Sequence, residues 1–485
     1  MSEFLAGAGV LIAAGASAAA ILLPPSRRRS LAMLVAIVLF PVLILGDQWH
    51  TAQIVDLRHD TGRIVALLAI AAAAIGGLAY GFRRWPLLLP LAIVFALPFR
   101  VPLEAGGDTA NLLVPLYLVI AAGVAAVAVR DWGARAGGFG GSWLPRILAA
   151  VVVLYALQTL YSEDFSKGLQ NVCFFLVPFT VAYSLLSDVR WDKRLLTLVL
   201  AVVGVEATAF VLIGSVEYLS RDLFWNDQVI RSNEFHTYFR VNSVFWDPNV
   251  YGRYLSLVAV LATAALLWVR DRREFALLTA LLGLLWIGLA ETFSQSSYIA
   301  LLGGLAVLAA IRWSLRWTLA AVAVGAVGAV LVVLLAGGSE ITTDRLNVDL
   351  SGRGNLVSGG VDLFAERPLW GYGSGSFQEA YRDHRENKDA PVTISHTEPV
   401  TILAEQGLIG LALYAALLLV ALWTMATGVR GPPAGADAAR PAVLAAFVAL
   451  LIHTLAYAGF YEDPITWVLL AVGVSLAGPA VRDPA

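Results

Sequence analysis

Charged residues and cysteine are both scarce in this chain. Of its 485 residues, 14% are charged and 59% belong to the hydrophobic class, whereas a soluble domain carries about 25% charged residues. The single cysteine, Cys173, excludes an internal disulfide and a cysteine metal cluster. The formal net charge is only −2, so we expect no nucleic-acid partner. The composition instead predicts a chain whose main solvent is lipid.

The hydrophobic residues form about fifteen runs, most of them close to the roughly 20 residues that one membrane-spanning helix needs. Run 86–99 is short and contains two prolines, so it could be re-entrant, and the final run is marginal. We therefore predict an all-α, polytopic transmembrane bundle of about 12–15 segments. The runs lie approximately at 4–23, 30–46, 64–81, 86–99, 111–129, 144–161, 171–187, 195–215, 251–269, 276–291, 296–311, 318–336, 403–425, 441–459 and 464–479.

The basic residues predict how the chain is oriented in the membrane. Numbering the gaps alternately places every compact Arg/Lys cluster on one side, beginning with Arg27–Arg29, and the positive-inside rule makes that side cytoplasmic. The long gaps 216–250 and 337–402 then face outwards. Because the Arg27–Arg29 cluster follows the first run instead of preceding it, that run is predicted to be a retained helix and not a signal peptide.

This topology divides the chain into five parts. We predict N-terminal transmembrane helices over 1–215, an outer loop over 216–250, transmembrane helices over 251–336, a long, partly helical, catalytic outer loop over 337–402, and C-terminal transmembrane helices over 403–485.

Motifs for metal ions and nucleotides are missing. The chain has no His-Glu-x-x-His and no P-loop, and its predicted outer loops contain neither Asp-x-Asp nor Glu-x-Asp. A metal-dependent transferase or an ATP-driven pump would lack its usual ligands here. We therefore expect neither a metal nor another cofactor.

Polar groups near a bilayer are costly, so they are the first candidates for function. In the first outer region, Asp247 followed by Pro248 is typical of a helix N-cap with proline at the first helical position. Arg253, in the helix that follows, could extend to the interface or hold an anion at the membrane surface. Arg240, amid aromatic residues, could be an anion ligand or a member of a loop salt bridge.

The long outer loop contains a helical pattern and a glycine-rich segment. The spacing of Leu356, Val361, Phe364 and Ala365 predicts a short amphipathic helix, which Pro368 ends. Glycines at 371, 373 and 375 then predict a tight turn. Its backbone N–H groups could face a phosphate, although the pattern alone is weak evidence for that and favours a plain turn.

Three histidines have different surroundings in the sequence. His396 comes just before a transmembrane run, where a neutral imidazole could take a proton from a sugar hydroxyl, since its reference pKa is about 6.5; a structural role is the alternative. His384, between Arg382 and Arg385, is predicted to be a solvated loop residue. His453, near Tyr457 in a membrane run, is predicted to be packed and hydrogen-bonded.

A set of motifs follows in a fixed order around the long loop: Glu291-Thr292-Phe293-Ser294-Gln295-Ser296-Ser297, Ser351-Gly352-Arg353, Arg367-Pro368-Leu369-Trp370-Gly371-Tyr372-Gly373, and His396 through Gly410. With these motifs, residues of about 280–415 resemble the superfamily of O-antigen ligases and O-antigen polymerases, and the Arg240–Asn249 stretch extends the resemblance upstream. It implies a fold like that of the GT-C glycosyltransferases and an O-antigen ligase-related domain over about 280–415.

The resemblance also implies an activity and a site. Such proteins move a glycan from an undecaprenyl-diphosphate carrier to an acceptor hydroxyl, on a glycan or a lipid, at the outer face of the bacterial inner membrane, without a metal. By motif, His396 would be the base, Arg353, Arg240 and Arg253 would bind the diphosphate, and Glu405 would support the site. Many members have Ser-Arg where this chain has Ser294-Gln295, so any anion role of that arginine is missing.

Three functions remain open at this point. A lipid-linked glycan ligase and a glycan polymerase use the same donor, so the motifs do not separate them. A transporter of lipid or polysaccharide belongs to another class and would need charged or broken helices at mid-membrane. The concentration of polar residues on outer loops favours an enzyme.

Overall fold

The computed structural model describes residues 2–105, 108–132, 142–224, 226–235, 238–336, 353–384, 395–427, 429 and 438–477. These residues are mainly helical. The first half contains α1 to α9, with one hairpin of paired strands between α5 and α6. Its helices are α1 Glu3–Leu22, α2 Arg27–Asp47, α3 Ala52–His59, α4 Thr61–Arg84, α5 Leu88–Ala96, α6 Val114–Asp131, α7 Trp143–Thr159, α8 Phe165–Asn171 and α9 Val177–Ser187, and its strands are β1 Val101–Ala105 and β2 Asp108–Leu112.

The second half continues the bundle and adds the helices of the long loop. A π-helical turn, Val172–Leu176, joins α8 to α9 without a break. The remaining helices are α10 Lys193–Ser220, α11 Asp227–Phe235, α12 Pro248–Trp268, α13 Arg272–Thr292, α14 Gln295–Arg312, α15 Leu315–Ala336, α16 Arg353–Glu366, α17 Phe377–Asp383, α18 Glu398–Ala426, α19 Ala439–Thr454 and α20 Pro464–Ala477.

Membrane-spanning helices dominate this architecture. Ten of the described helices are long and apolar enough to cross a bilayer, and four shorter apolar helices accompany them. Together with the nine-residue α5, they match the predicted hydrophobic runs. The predicted polytopic helical fold is therefore confirmed, and the short run 86–99 contains only this short helix.

Local sequence signals fix several helix starts. The Asp247 carboxylate accepts a hydrogen bond from the N–H of Asn249, with Pro248 at the first helical position, so the predicted N-cap is confirmed. Asp192 and Asp271 cap α10 and α13 in the same way. Each cap satisfies an N–H group that the helix itself leaves without a partner.

The loops that the charges placed on one side meet at one end of the bundle, which we call the loop end. There the Ser162 hydroxyl donates to the Ser374 carbonyl, and the Val241 N–H donates to the Glu291 carbonyl. At the opposite end, Arg29 forms a salt bridge of 2.5 Å with Asp188. The alternation predicted from the basic clusters thus agrees with which loops contact one another.

The long loop has a small core of its own, and the predicted amphipathic helix is α16. The buried side chains of this small core are Leu363, Tyr372, Phe377, Ala380 and Tyr381, with Ala404 of α18. The packing face of α16 differs from the predicted one, because Val361 is 47% exposed while a Cβ on Gly359 would lie 2.0 Å from the Tyr381 ring. Glycines allow α17 to pack closely here, and they carry no hydrophobic signal in the sequence.

Candidate functional site

Arg240 anchors the segment before α12 to the end of α13. Its Nε donates to the Thr292 carbonyl at 2.9 Å, and its Nη2 donates to the Asn249 side-chain oxygen at 3.0 Å. The side chain is half-buried. Arg240 therefore joins the two stretches, 240–249 and 291–297, that sequence analysis had singled out separately.

Arg253 is buried within the bundle, close to the loop end, and does not extend to the protein surface. It is 4% exposed, and its Nη1 donates to the Asp463 carboxylate at 2.7 Å. Its Nε donates to His453 Nδ1 at 3.1 Å, and its Nη2 donates to the Tyr457 carbonyl at 3.1 Å. A buried cation needs this complete set of partners, because an unpaired charge in a low dielectric is very costly.

His453 connects Arg253 to a group of serines. Its Nε2 lies 3.2 Å from the Ser296 hydroxyl and 3.3 Å from the Ser297 hydroxyl. Because Nδ1 accepts from Arg253, the proton of the neutral ring lies on Nε2, which donates to a serine. The prediction that His453 is packed and hydrogen-bonded is confirmed.

A continuous chain of hydrogen bonds joins the two arginines. From Arg240 it passes through the Asn249 side chain to the Ser294 hydroxyl, 2.9 Å away. Ser294 contacts the Ser297 hydroxyl at 2.8 Å, and Ser297 contacts His453 and thereby Arg253. We call this set of side chains, with Asp463, the arginine network. Linked hydrogen bonds of this kind polarise one another and hold their members rigid.

Asn249 and Asp463 belong to the arginine network, although their sequence surroundings did not predict this. A signal existed, because Asp463-Pro464 repeats the Asp247-Pro248 pattern at the start of another helix. Asp463 accepts from the N–H of Ile465, as a cap does, while its other oxygen binds Arg253.

His396 lies beside the arginine network, with Tyr457 between them. The His396 and Tyr457 ring centroids are 6.3 Å apart, and the Arg253 guanidinium carbon lies 5.5 Å from the Tyr457 ring centroid. The His396 backbone has a φ of 61°, and its carbonyl accepts from the Ala458 N–H at 3.2 Å. The structure thus brings Arg240, Arg253 and His396 to the loop end. Arg353 begins α16, and its side chain lies outside the described residues.

Glu405 fixes the glycine turn. Its carboxylate accepts from the N–H groups of Gly375, at 2.9 Å, and Phe377, at 3.2 Å. The Gly373 N–H donates to the Glu405 carbonyl at 2.8 Å. The three glycines have φ values of 67°, 98° and 83°, which favour glycine. Because Glu405 uses the N–H groups of two of them, the structure agrees with the plain-turn interpretation and not with a phosphate cradle.

His384 is half-exposed, as a loop residue should be, but it is not simply solvated. Its Nδ1 lies 2.6 Å from the Ala380 carbonyl and its Nε2 lies 3.0 Å from the Glu366 carboxylate. The Ala380 carbonyl, and after it Glu366, raise the pKa of His384 above its usual value. Hydrogen bonds from the Tyr372 hydroxyl and then from His384 lower the pKa of Glu366.

These two shifts predict a pH window for the packing of α16 on α17. A raised histidine pKa stabilises the folded state fully below about pH 6.5, and this contribution is lost as pH rises through the folded-state pKa. A lowered carboxyl pKa stabilises the folded state fully above about pH 4.5, and this contribution is lost as the pH falls through the folded-state pKa. We expect protection of α16 and α17 amides from hydrogen exchange to be greatest between these values. Glu366→Gln should flatten the acidic side of the profile, and an unchanged profile would contradict the assignment.

One segment of the chain matches a known protein family. Residues 278–415 match the family model described as O-Antigen ligase. The match runs from within α13 to within α18, and so it includes the serines of the arginine network, α16, the glycine turn, His396 and Glu405. No curated protein matches the chain.

Proposed function

We propose that this polytopic membrane protein, whose residues 278–415 match the O-Antigen ligase family model, is a membrane glycosyltransferase. Its donor is a glycan on an undecaprenyl-diphosphate carrier, and its acceptor is a hydroxyl of a glycan or a lipid. The loop end faces outwards from the bacterial inner membrane. The observation that carries the proposal is the position of His396 beside a network that holds two arginines at one end of the bundle.

The proposed reaction uses a base and cations. His396 removes the proton from the acceptor hydroxyl, the resulting oxygen attacks the anomeric carbon of the donor sugar, and the bond from that carbon to the carrier phosphate breaks. The electron pair leaves on the diphosphate. The diphosphate leaving group is stabilised more by a nearby positive charge than by a proton, and arginine carries a permanent positive charge.

The arginines have different parts in this proposal. Arg240 is half-buried at the loop end, where its Nε donates to the Thr292 carbonyl and its Nη2 donates to the Asn249 side chain, and by its place in the motif it is proposed as a diphosphate ligand. Arg253 is held by Asp463, His453 and Tyr457, so it positions the network from inside. Arg353, at the start of α16, is proposed as the further diphosphate ligand. Glu405 supports the site by holding the glycine turn.

The carrier lipid places a demand on the bundle, because the polyprenyl tail has to lie in the bilayer while the diphosphate reaches the loop end. Helices at the surface of the bundle offer apolar side chains to lipid, for example Leu212 and Leu219 of α10, which are 57% and 82% exposed. A site at one end of the bundle, reached from the side, satisfies both requirements.

Deletion of the chain in its native host tests the proposed function. Carrier-linked glycan should accumulate on the outer leaflet, where a lectin can reach it in intact spheroplasts, and the wild-type chain should reverse this. Accumulated long glycans would indicate a ligase, and single units would indicate the polymerase alternative. Accumulation only after the membrane is permeabilised would favour the transporter alternative, and unchanged carrier glycans would contradict all three.

A further inference from the structure

A second polar site adjoins the His396 segment, because its lining includes Glu398 and Ala458, and the Ala458 N–H donates to the His396 carbonyl. It is a cavity of about 50 Å³ between the start of α18, the α7–α8 region and the 458–462 loop. A water needs about 10–15 Å³, so the cavity has room for several waters or for one edge of a sugar ring. Its polar lining includes Glu398, Glu405, Glu462, Gln406, Asn171 and Lys167.

Two buried amides in this lining have hydrogen-bonding capacity that the protein leaves unused. Gln406 is 4% exposed, and its side chain makes no hydrogen bond with any residue that the structure describes. Asn171 is 6% exposed, and its amide nitrogen donates to the Tyr155 hydroxyl, while its oxygen accepts no hydrogen bond within the described part of the chain. Neither amide is among the fully enclosed polar atoms without a partner, so the unpaired atoms stay open to the cavity that both residues line, where a polar occupant can satisfy them.

The carboxylates in the lining indicate what charge the occupant of the cavity has. Glu398 binds the N–H groups of Gly459 and Phe460 through one oxygen, which leaves the other for a ligand. Glu462 is half-buried and lines the cavity, as does the exposed Lys167. Within the described residues, no three carboxylate, histidine or cysteine side chains are arranged to hold a metal ion. Carboxylates and amides with a neighbouring tyrosine, here Tyr461, suit uncharged sugar hydroxyls, which both donate and accept.

From these observations we infer that this cavity, formed by Gln406, Asn171, Glu398 and Glu462, is a subsite for an uncharged sugar of the acceptor. The inference rests on the proposed glycosyl transfer. The cavity lining includes Glu462 and other acidic groups, which disfavour the anionic diphosphate, whereas the arginine network attracts it, so charge helps to separate the two substrates. The subsite adjoins the His396 segment through Glu398 and through Ala458, whose N–H donates to the His396 carbonyl, which places the acceptor next to the proposed base.

Direct binding to the whole protein in lipid nanodiscs tests the subsite without relying on activity. The probes are methyl glucoside, methyl glucuronide, which has the same ring with a carboxylate, and calcium chloride, each followed by saturation-transfer NMR or by thermal stabilisation. Methyl glucoside should bind at least about tenfold more tightly than methyl glucuronide, and Glu462→Gln should narrow that difference. Equal binding of the two sugars, or stabilisation by calcium alone, would overturn the inference.

The variant Gln406→Leu distinguishes a binding role from a structural one. It removes an amide without protein partners, so stability should be unchanged or higher, while the apparent affinity for methyl glucoside falls about tenfold. Thr180→Val is the matched control, because Thr180 is also buried with an unpartnered hydroxyl among the described residues, and it does not line the cavity. Equal sugar binding by Gln406→Leu and wild type would contradict the subsite.

Consumption of carrier-linked glycan, isolated from the deletion strain, separates this inference from the proposed function. If the wild-type protein releases no glycan from the carrier, the proposed function fails, whatever the sugars do. If the wild-type protein consumes the donor but Gln406→Leu leaves the KM for the acceptor unchanged, only the subsite fails. The expected result is a raised acceptor KM with little change in the donor KM.

Discussion

The His396→Asn variant should transfer glycan at least about a hundredfold more slowly than the wild-type protein, because a positioned general base contributes about 10²–10⁴-fold to rate. Asparagine is the informative replacement, since His396 has a φ of 61° and asparagine tolerates that left-handed backbone better than alanine does. The change therefore removes the imidazole and leaves the backbone. The measurement is the initial rate of glycan release from the isolated carrier-linked donor.

His384→Asn is the matched control for this prediction. His384 is the other histidine of the long loop that the structure describes, and its ring contacts Glu366 and the Ala380 carbonyl. Its replacement should change the rate less than about threefold, because its pair with Glu366 is exposed and screened by solvent. Equal rates for the two variants would remove His396 from the proposed mechanism.

Replacing Asp463 with alanine should destabilise the protein by about 3–5 kcal/mol, because it leaves the Arg253 guanidinium buried without its counter-ion. The pair is 4% and 7% exposed at its two side chains, and the atoms are 2.7 Å apart. The Tm of the protein in nanodiscs should fall markedly. Glu163→Ala is the control, since its ion pair with Arg367 is 30% and 47% exposed and contributes at most about 1 kcal/mol.

The double variant Arg253→Met with Asp463→Leu separates folding from function. Apolar residues of similar volume can replace a buried ion pair at little cost in stability, so most of the lost Tm should return. Transfer should remain impaired, because His453 and Tyr457 lose the guanidinium that positions them. A double variant with wild-type rates would show that the arginine network serves only the fold.

Much of the fold could be predicted from the sequence, because hydrophobic length and the placement of arginine obey strong rules in lipid. The loops assigned to one side do contact one another, as Val241 with Glu291 and Ala458 with His396 illustrate. The predicted packing face of α16 was wrong. The observed face includes Gly359 and Gly360, and glycine does not contribute to a pattern of apolar side chains.

The site was predictable only in parts. Single residues such as Arg240 and His396 were found because charge near a bilayer needs an explanation. The hydrogen bonds that connect these residues were not predicted. They pass through Asn249, Ser294 and His453 and join residues up to about two hundred positions apart in sequence. Distant contacts of this kind depend on how helices α12, α14 and α19 pack, which no local pattern records.

The break in α18 at Gly407 ties the loop to the membrane helix through main-chain atoms. Gly407 has a φ of 64°, and a Cβ there would lie 2.4 Å from the Leu369 carbonyl oxygen. Around the break, the Leu408 N–H donates to the Pro368 carbonyl, and the carbonyls of Ala404 and Glu405 accept from the N–H groups of Tyr372 and Gly373. Backbone groups left open near lipid are costly, so each segment completes the other.

Segments 367–376 and 403–410 are therefore one module, although the chain separates them. A chimera that imports the loop of a relative keeps these main-chain hydrogen bonds only if glycine stays at 371 and 407, because a Cβ at either position would lie 2.4 Å from a carbonyl oxygen of the other segment. Exchange of either segment should fold when both glycines are kept, and loss of either glycine should disrupt the contact. Any redesign of the substrate specificity of this loop therefore has to preserve the contacts between segments 367–376 and 403–410.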